Sequence, residues 1–196
     1  MVKEHKNFLS PDNINFIENV MLNDNFPFYI KQSATENKKG KQNNESFLKH
    51  IILHNLETKR PSEAVNSDYY EIALNMLQQF TKAIKQEVNF FTRMCFNLTY
   101  ANGMEKSGVH VDHKYPHKQI ILYLNDCDKD AKTVIVDDKG KDSKIITPEK
   151  YKGVCFDGVP HYHYFPKKGL RLVLVGTFIW YHMVFIILDL CLLKWK

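Results

Sequence analysis

His110 and Asp112 stand one residue apart, and His161 follows some fifty positions later. Two imidazoles and one carboxylate are the donor set that holds Fe(II) on one face and leaves the opposite positions open. Arg171, ten positions beyond His161, adds a planar fork of N–H donors suited to a carboxylate in a closed pocket. If residues 110–112 are extended, the side chains of His110 and Asp112 share a face and can reach one ion. His161 and His163 are related in the same way, so spacing alone leaves either as the second imidazole. Each residue also has an ordinary reading: a solvated turn at Asp112-His113-Lys114-Tyr115-Pro116-His117, a salt bridge for Arg171, and rim aromatics for Tyr100 and Tyr123.

These residues need a frame of strands. From Phe91 the pattern alternates, with Met94, Phe96, Leu98 and Tyr100 between Arg93, Cys95, Asn97 and Thr99, as in a half-buried strand. Further strands are predicted at 118–124, 133–136, 144–147, 153–156 and 170–180, separated by turns such as Asp137-Asp138-Lys139-Gly140 and Asp157-Gly158. The first half reads differently. Ser10-Pro11 starts a short amphipathic helix carrying Ile14, Ile17 and Met21. Phe26-Pro27-Phe28-Tyr29-Ile30 reads as an edge strand. Ser67 and Asp68 open a longer helix with Tyr70, Ala73, Leu74, Leu77, Phe80 and Ile84 on one side, and Asp68 with Glu71 resembles a capping box. Between them, residues 31–60 form a polar stretch with one apolar island at 47–53, expected to be either a functional flap, able to act as a lid, or disordered. Helices followed by many short strands predict an α+β fold with a β-sandwich or jelly-roll core.

The chain has 196 residues, 44% hydrophobic, 25% charged and 13% aromatic, enough for one domain with a packed interior. Within it we expect a helical and loop support over 1–90, a strand core over 91–180 and an apolar tail over 181–196. The net charge of +5 comes from 27 basic and 22 acidic residues interspersed along the chain, which argues against a nucleic-acid track. Four separated cysteines and the lack of an apolar leader point to a reducing, cytoplasmic setting. The tail from Met183 to Leu193 is almost wholly apolar, and with the residues from Thr177 it nears the ~20 needed to span a bilayer. Asp189 would be costly in lipid, and residues 171–180 are needed as a core strand, so packing on the core is expected, with membrane contact as the alternative.

Together, His110, Asp112, His161 and Arg171 resemble the motif of the Fe(II)/2-oxoglutarate-dependent dioxygenases, in their prolyl-4-hydroxylase-like branch, including small phage and marine bacterial members. The resemblance runs from about Phe91 to Trp180. It implies a double-stranded β-helix (jelly roll) with the N-terminal helices packed outside. It also implies His110, Asp112 and His161 as metal ligands, the ten-residue step to Arg171 favouring His161 over His163. Arg171 would hold the far carboxylate of 2-oxoglutarate, helped by Tyr123 of Tyr123-Leu124-Asn125 and by Tyr100, about ten residues before the first ligand. Of the family's Gly-Gly-x-Thr-like strand start only Thr133 is kept, and the second arginine typical of nucleic-acid demethylases is missing after Arg171. The implied activity is hydroxylation of a peptide side chain such as proline, or of a small metabolite, with Fe(II), 2-oxoglutarate and ascorbate as reductant. The alternative is a non-catalytic cupin-like binding protein on the same barrel.

Overall fold

Strand β4, Phe90–Tyr100, lies near the middle of the large sheet and shows why its sequence alternates. Met94, Phe96 and Leu98 enter one core beneath the helices, whereas Cys95 enters a second core on the opposite face. The strand is therefore buried on both sides, not half-buried as its alternation suggested, because a second sheet covers the face that carries the polar residues. A computed structural model of the chain describes residues 1–31, 46–55 and 63–180.

Among the described residues ten strands form two antiparallel sheets. β1 (Lys3–Lys6), β2 (Tyr29–Lys31) and β3 (Phe47–Leu53) join β4, β5 (Lys118–Tyr123), β8 (Lys152–Asp157) and β10 (Leu170–Ile179) in the order β1-β8-β5-β10-β4-β3-β2. The small sheet has the order β7-β6-β9, from β6 (Thr133–Val136), β7 (Asp142–Ile146) and β9 (His161–His163). A single antiparallel bridge between His110 and His161 adds a fourth segment to it. Four central strands of the large sheet, β8-β5-β10-β4, thus face four segments of the small one. This is the α+β double-stranded β-helix expected from the sequence.

Helix α1, Pro11–Phe16, begins as its residues dictate: Ser10 Oγ accepts from the Asn13 N–H at 3.4 Å and Pro11 takes the first turn. A π-helical turn, Ile17–Met21, carries its apolar side onward. Helix α2, Tyr70–Ala83, buries Ala73, Met76, Leu77 and Phe80 against the large sheet. It starts later than Ser67 and Asp68 imply, and the capping box does not form. The Ser67 hydroxyl instead lies 2.8 Å from His50 Nε2 and accepts from the Tyr69 N–H, holding residues 68–69 in a turn. Gly153 and Gly176 make room for this helix: a Cβ at Gly153 would overlap the Phe80 ring, and one at Gly176 would come within 2.8 Å of a Leu77 methyl.

Two features of the first ninety residues differ from the expected helix-and-loop support. They contribute β1, β2 and β3 to the large sheet, and the apolar island at 47–53 is a full strand paired with β4. The edge strand expected at 26–30 is confined to Tyr29–Lys31, because Phe26 is drawn into the core against Phe16, Tyr69 and Phe96. The lid expected within 31–60 falls largely outside the described residues, as does the apolar tail at 181–196. Among the described residues no helix is long and apolar enough to cross a membrane.

Candidate active site

A cavity of about 270 Å³ opens between the two sheets. Its small-sheet wall is set by backbone pairing: the N–H of His110 donates to the His161 carbonyl and the N–H of His161 to that of His110, each at 3.0 Å. The two imidazoles are brought to 4.5 Å between ring centroids. Each ring turns its Nδ1 onto a carbonyl two residues earlier, His110 onto Gly108 at 3.0 Å and His161 onto Val159 at 2.9 Å. With Nδ1 protonated to donate there, each Nε2 keeps its lone pair, the tautomer a metal ligand needs. Gln119 Nε2 lies 3.2 Å from His161 Nε2 and donates to it.

Asp112 completes the set. Its Oδ1 accepts from Arg93 Nη1 at 2.6 Å, while Oδ2 is buried, has no hydrogen-bond partner and lies 3.9 Å from His161 Nε2. Burial would raise the carboxyl pKa, but Arg93, then His161 and His110, outweigh it and hold the group well below the usual range. Burial also pushes His161 down, to about 4, against the pull of Asp112, so its ring is neutral at pH 7. Among the described residues no three such side chains already form a closed metal cage. The donor chemistry nevertheless fits a divalent ion: one anionic oxygen without a partner and two imidazoles oriented by their own backbone.

Arg171 lies in the same cavity, on β10, and is 4% exposed. Its Nη2 donates to Thr133 Oγ1 at 2.9 Å, its guanidinium lies over the Tyr123 ring at 5.3 Å, and its Nε has no partner. No carboxylate among the described residues pairs with it, so the salt bridge that would be its ordinary explanation is not formed. Tyr123 Oη meets the same Thr133 hydroxyl at 2.8 Å, and burial raises its pKa against the pull of Arg171, keeping it protonated. A buried cation with spare donors demands an anion.

Neither a family model nor a curated protein matches the sequence. Solved structures do. The fold is similar to an oxidoreductase of the 2OG-Fe(II) oxygenase family from Burkholderia pseudomallei, at 15% identity and a TM-score of 0.69, covering 90% of this chain and 84% of that one. A Pseudomonas putida prolyl-4-hydroxylase shares 18% identity with a TM-score of 0.56, over 92% of each chain. A Trichoplax adhaerens prolyl hydroxylase, solved with a hypoxia inducible factor oxygen degradation domain peptide fragment, shares 15% with a TM-score of 0.55, over 90% of this chain and 83% of that one. The chain has the fold of the 2OG-Fe(II) oxygenases.

In this oxygenase fold, the sequence-predicted residues divide. His110, Asp112, His161 and Arg171 line one cavity, and Tyr123 stands behind it against Arg171. Tyr100 does not line it. Its hydroxyl lies 3.4 Å from Ser46 Oγ, and the preceding residue, Thr99, lines the cavity instead, since one step along a strand reverses the face. His163 lines the cavity too, partly exposed but with its Nε2 buried and unpartnered. Burial, then the nearby Arg171, hold its pKa well below the ordinary histidine range, so it is a neutral ring next to the arginine. Arg93, Gln119, Asn97, Thr133 and Lys49 also line the site and were not singled out from the sequence as site residues. Their signal was present: a polar side chain at an inward position of an otherwise apolar strand.

Proposed function

We propose that the protein is an Fe(II)- and 2-oxoglutarate-dependent dioxygenase that hydroxylates a peptide side chain or a small metabolite. The observation that carries this reading is the pairing, within one cavity, of an incomplete metal-donor set and a buried arginine without an acid. His110 Nε2, His161 Nε2 and Asp112 Oδ2 would hold the iron. Arg171, steadied by Thr133 and Tyr123, would take the distal carboxylate of 2-oxoglutarate. Bound iron and co-substrate supply the oxidising chemistry, in which decarboxylation to succinate and CO2 is coupled to insertion of oxygen into a C–H bond.

The chain's own residues do the rest. The carbonyls of Gly108 and Val159 fix both imidazole tautomers. Arg93 keeps Asp112 ionised and limits its rotation. Val173, Val175 and Ile121 form the apolar part of the cavity wall and exclude water from it. Ascorbate as reductant and a cytoplasmic setting belong to the same reading, the latter supported by the free thiols of Cys95, Cys127 and Cys155.

Succinate release from 2-oxoglutarate, measured with Fe(II), ascorbate and oxygen over a broad substrate panel, tests this. Wild type should turn over and Asp112→Ala should not, and Zn(II) should inhibit by filling the site without redox chemistry. Equal background rates for wild type and Asp112→Ala across the panel would instead favour the cupin-like binding protein.

A further inference from the structure

We propose that the substrate bears a carboxylate, received by Lys49 at the wall of the same cavity; this rests on the oxygenase reading above. Strand β3 is the source of the inference. Its residues alternate between the hydrophobic core, which takes Leu48 and Ile52, and the cavity, which takes Phe47 and Lys49. In register, Lys49 stands between Tyr29 of β2 and Asn97 of β4. Asn97 also lines the cavity, and its Oδ1 is buried without a partner.

The charges around the cavity do not balance. Lys31, Lys49, Arg93 and Arg171 line it, against Asp112 as the one carboxylate among the described lining residues, and Arg93 already holds Asp112. Among the described residues Lys31 and Lys49 have no ion pair. Burial pushes the Lys49 ammonium below the usual lysine range, and Arg93 and Lys31 push the same way. A half-buried cation kept at a cost in desolvation and repulsion recovers that cost when an anion arrives. The 2-oxoglutarate carboxylates are assigned to the metal and to Arg171, which leaves Lys49 for a second molecule. Phe47, two residues away on the same face, offers an apolar surface to the body of that molecule, and the Asn97 amide offers a polar contact. The carboxylate could be that of a free metabolite or of an acidic side chain in a peptide. Either source presents the same group to Lys49.

The experiment uses protein loaded with Mn(II) and saturating 2-oxoglutarate, titrated calorimetrically with matched probes. N-acetylglycine is compared with N-acetylglycinamide, and acetyl-Gly-Glu-Gly-amide with its Gln counterpart. Within at least one pair the carboxylate should bind about tenfold or more tightly than its neutral partner, as a charge-assisted contact implies. Lys49→Gln should abolish that preference, and Lys49→Arg should restore part of it. Preference in the first pair alone marks a small-molecule substrate, and preference in the second marks an acidic peptide. Equal binding within both pairs, or a preference that survives Lys49→Gln, overturns the proposal. If Mn(II) and 2-oxoglutarate fail to bind, the oxygenase reading falls. The same probes added to unloaded Arg171→Met protein, with and without Lys49→Gln, then still decide whether Lys49 receives carboxylates.

Discussion

Arg93 Nη1 donates to Asp112 Oδ1 at 2.6 Å, on the side of the carboxylate away from the bare Oδ2 that lies 3.9 Å from His161 Nε2. One oxygen is held by a permanent cation, and the other, without a hydrogen-bond partner, is the one we propose for the iron. Arg93→Met should therefore strand a buried carboxylate in the metal-free protein. Breaking such a pair costs about 3–5 kcal/mol. Urea denaturation with a chelator should show that loss, and Mn(II) should recover part of it. An unchanged midpoint would mean that the pair carries no stability.

Arg171→Ala should weaken 2-oxoglutarate binding by about 1.5–3 kcal/mol, the range for a charge-assisted contact, while Mn(II) affinity stays near wild type. Thr133→Val removes the hydroxyl shared by Arg171 and Tyr123, and should cost about 1 kcal/mol in the same titration. Equal 2-oxoglutarate affinity in wild type and Arg171→Ala would contradict the assignment.

Stability of the metal-free protein should fall as the pH drops below neutrality. The folded-state pKa of His161, about 4, lies below the ordinary histidine value of 6.5, so the unfolded chain takes up its proton first. The contribution is complete above about 6.5 and is lost as the pH falls towards 4. His163 acts in the same direction. Asp112, whose pKa is also depressed, matters only at lower pH, below the ordinary carboxylate value. Urea midpoints at pH 7.5, 6 and 5 should decline in wild type and decline less in His161→Leu.

Gly153→Ala tests the packing of α2 without touching the site. The added methyl meets the Phe80 ring, and overpacking of this kind costs about 1–3 kcal/mol. Thermal unfolding should register the loss, whereas Mn(II) affinity should be unaltered in the folded fraction.

That His110, Asp112, His161 and Arg171 share one cavity was legible because their types and spacing are unusual and do not depend on neighbouring structure. Strands β5, β6, β8 and β10 were legible because apolar runs bounded by turns have few other uses. Tyr100 failed by one residue, since spacing from His110 does not say which face of β4 a residue occupies. Arg93 and Gln119 were hidden because burial on both faces is a property of two sheets, which no single strand displays. Strand β1, Lys-Glu-His-Lys, has no hydrophobic pattern at all and forms because β8 offers a free edge. The Asp68–Glu71 capping box failed because Ser67, bonded to His50 and to the Tyr69 N–H, holds residues 68–69 in a turn and α2 begins only at Tyr70.

The two walls of the cavity belong to different sheets. His161 and His163 stand on β9 and His110 is bridged to it, while Lys49, Arg93 and Arg171 stand on β3, β4 and β10. The gap between the histidines and Arg171 is therefore a spacing between two plates, held open by side chains such as Ile135, Ile146 and Phe156 that do not line the cavity. Trimming one of these wedges would retune the reach from metal to arginine as a shim retunes a jaw, altering the fit of the co-substrate while every contacting residue stays the same.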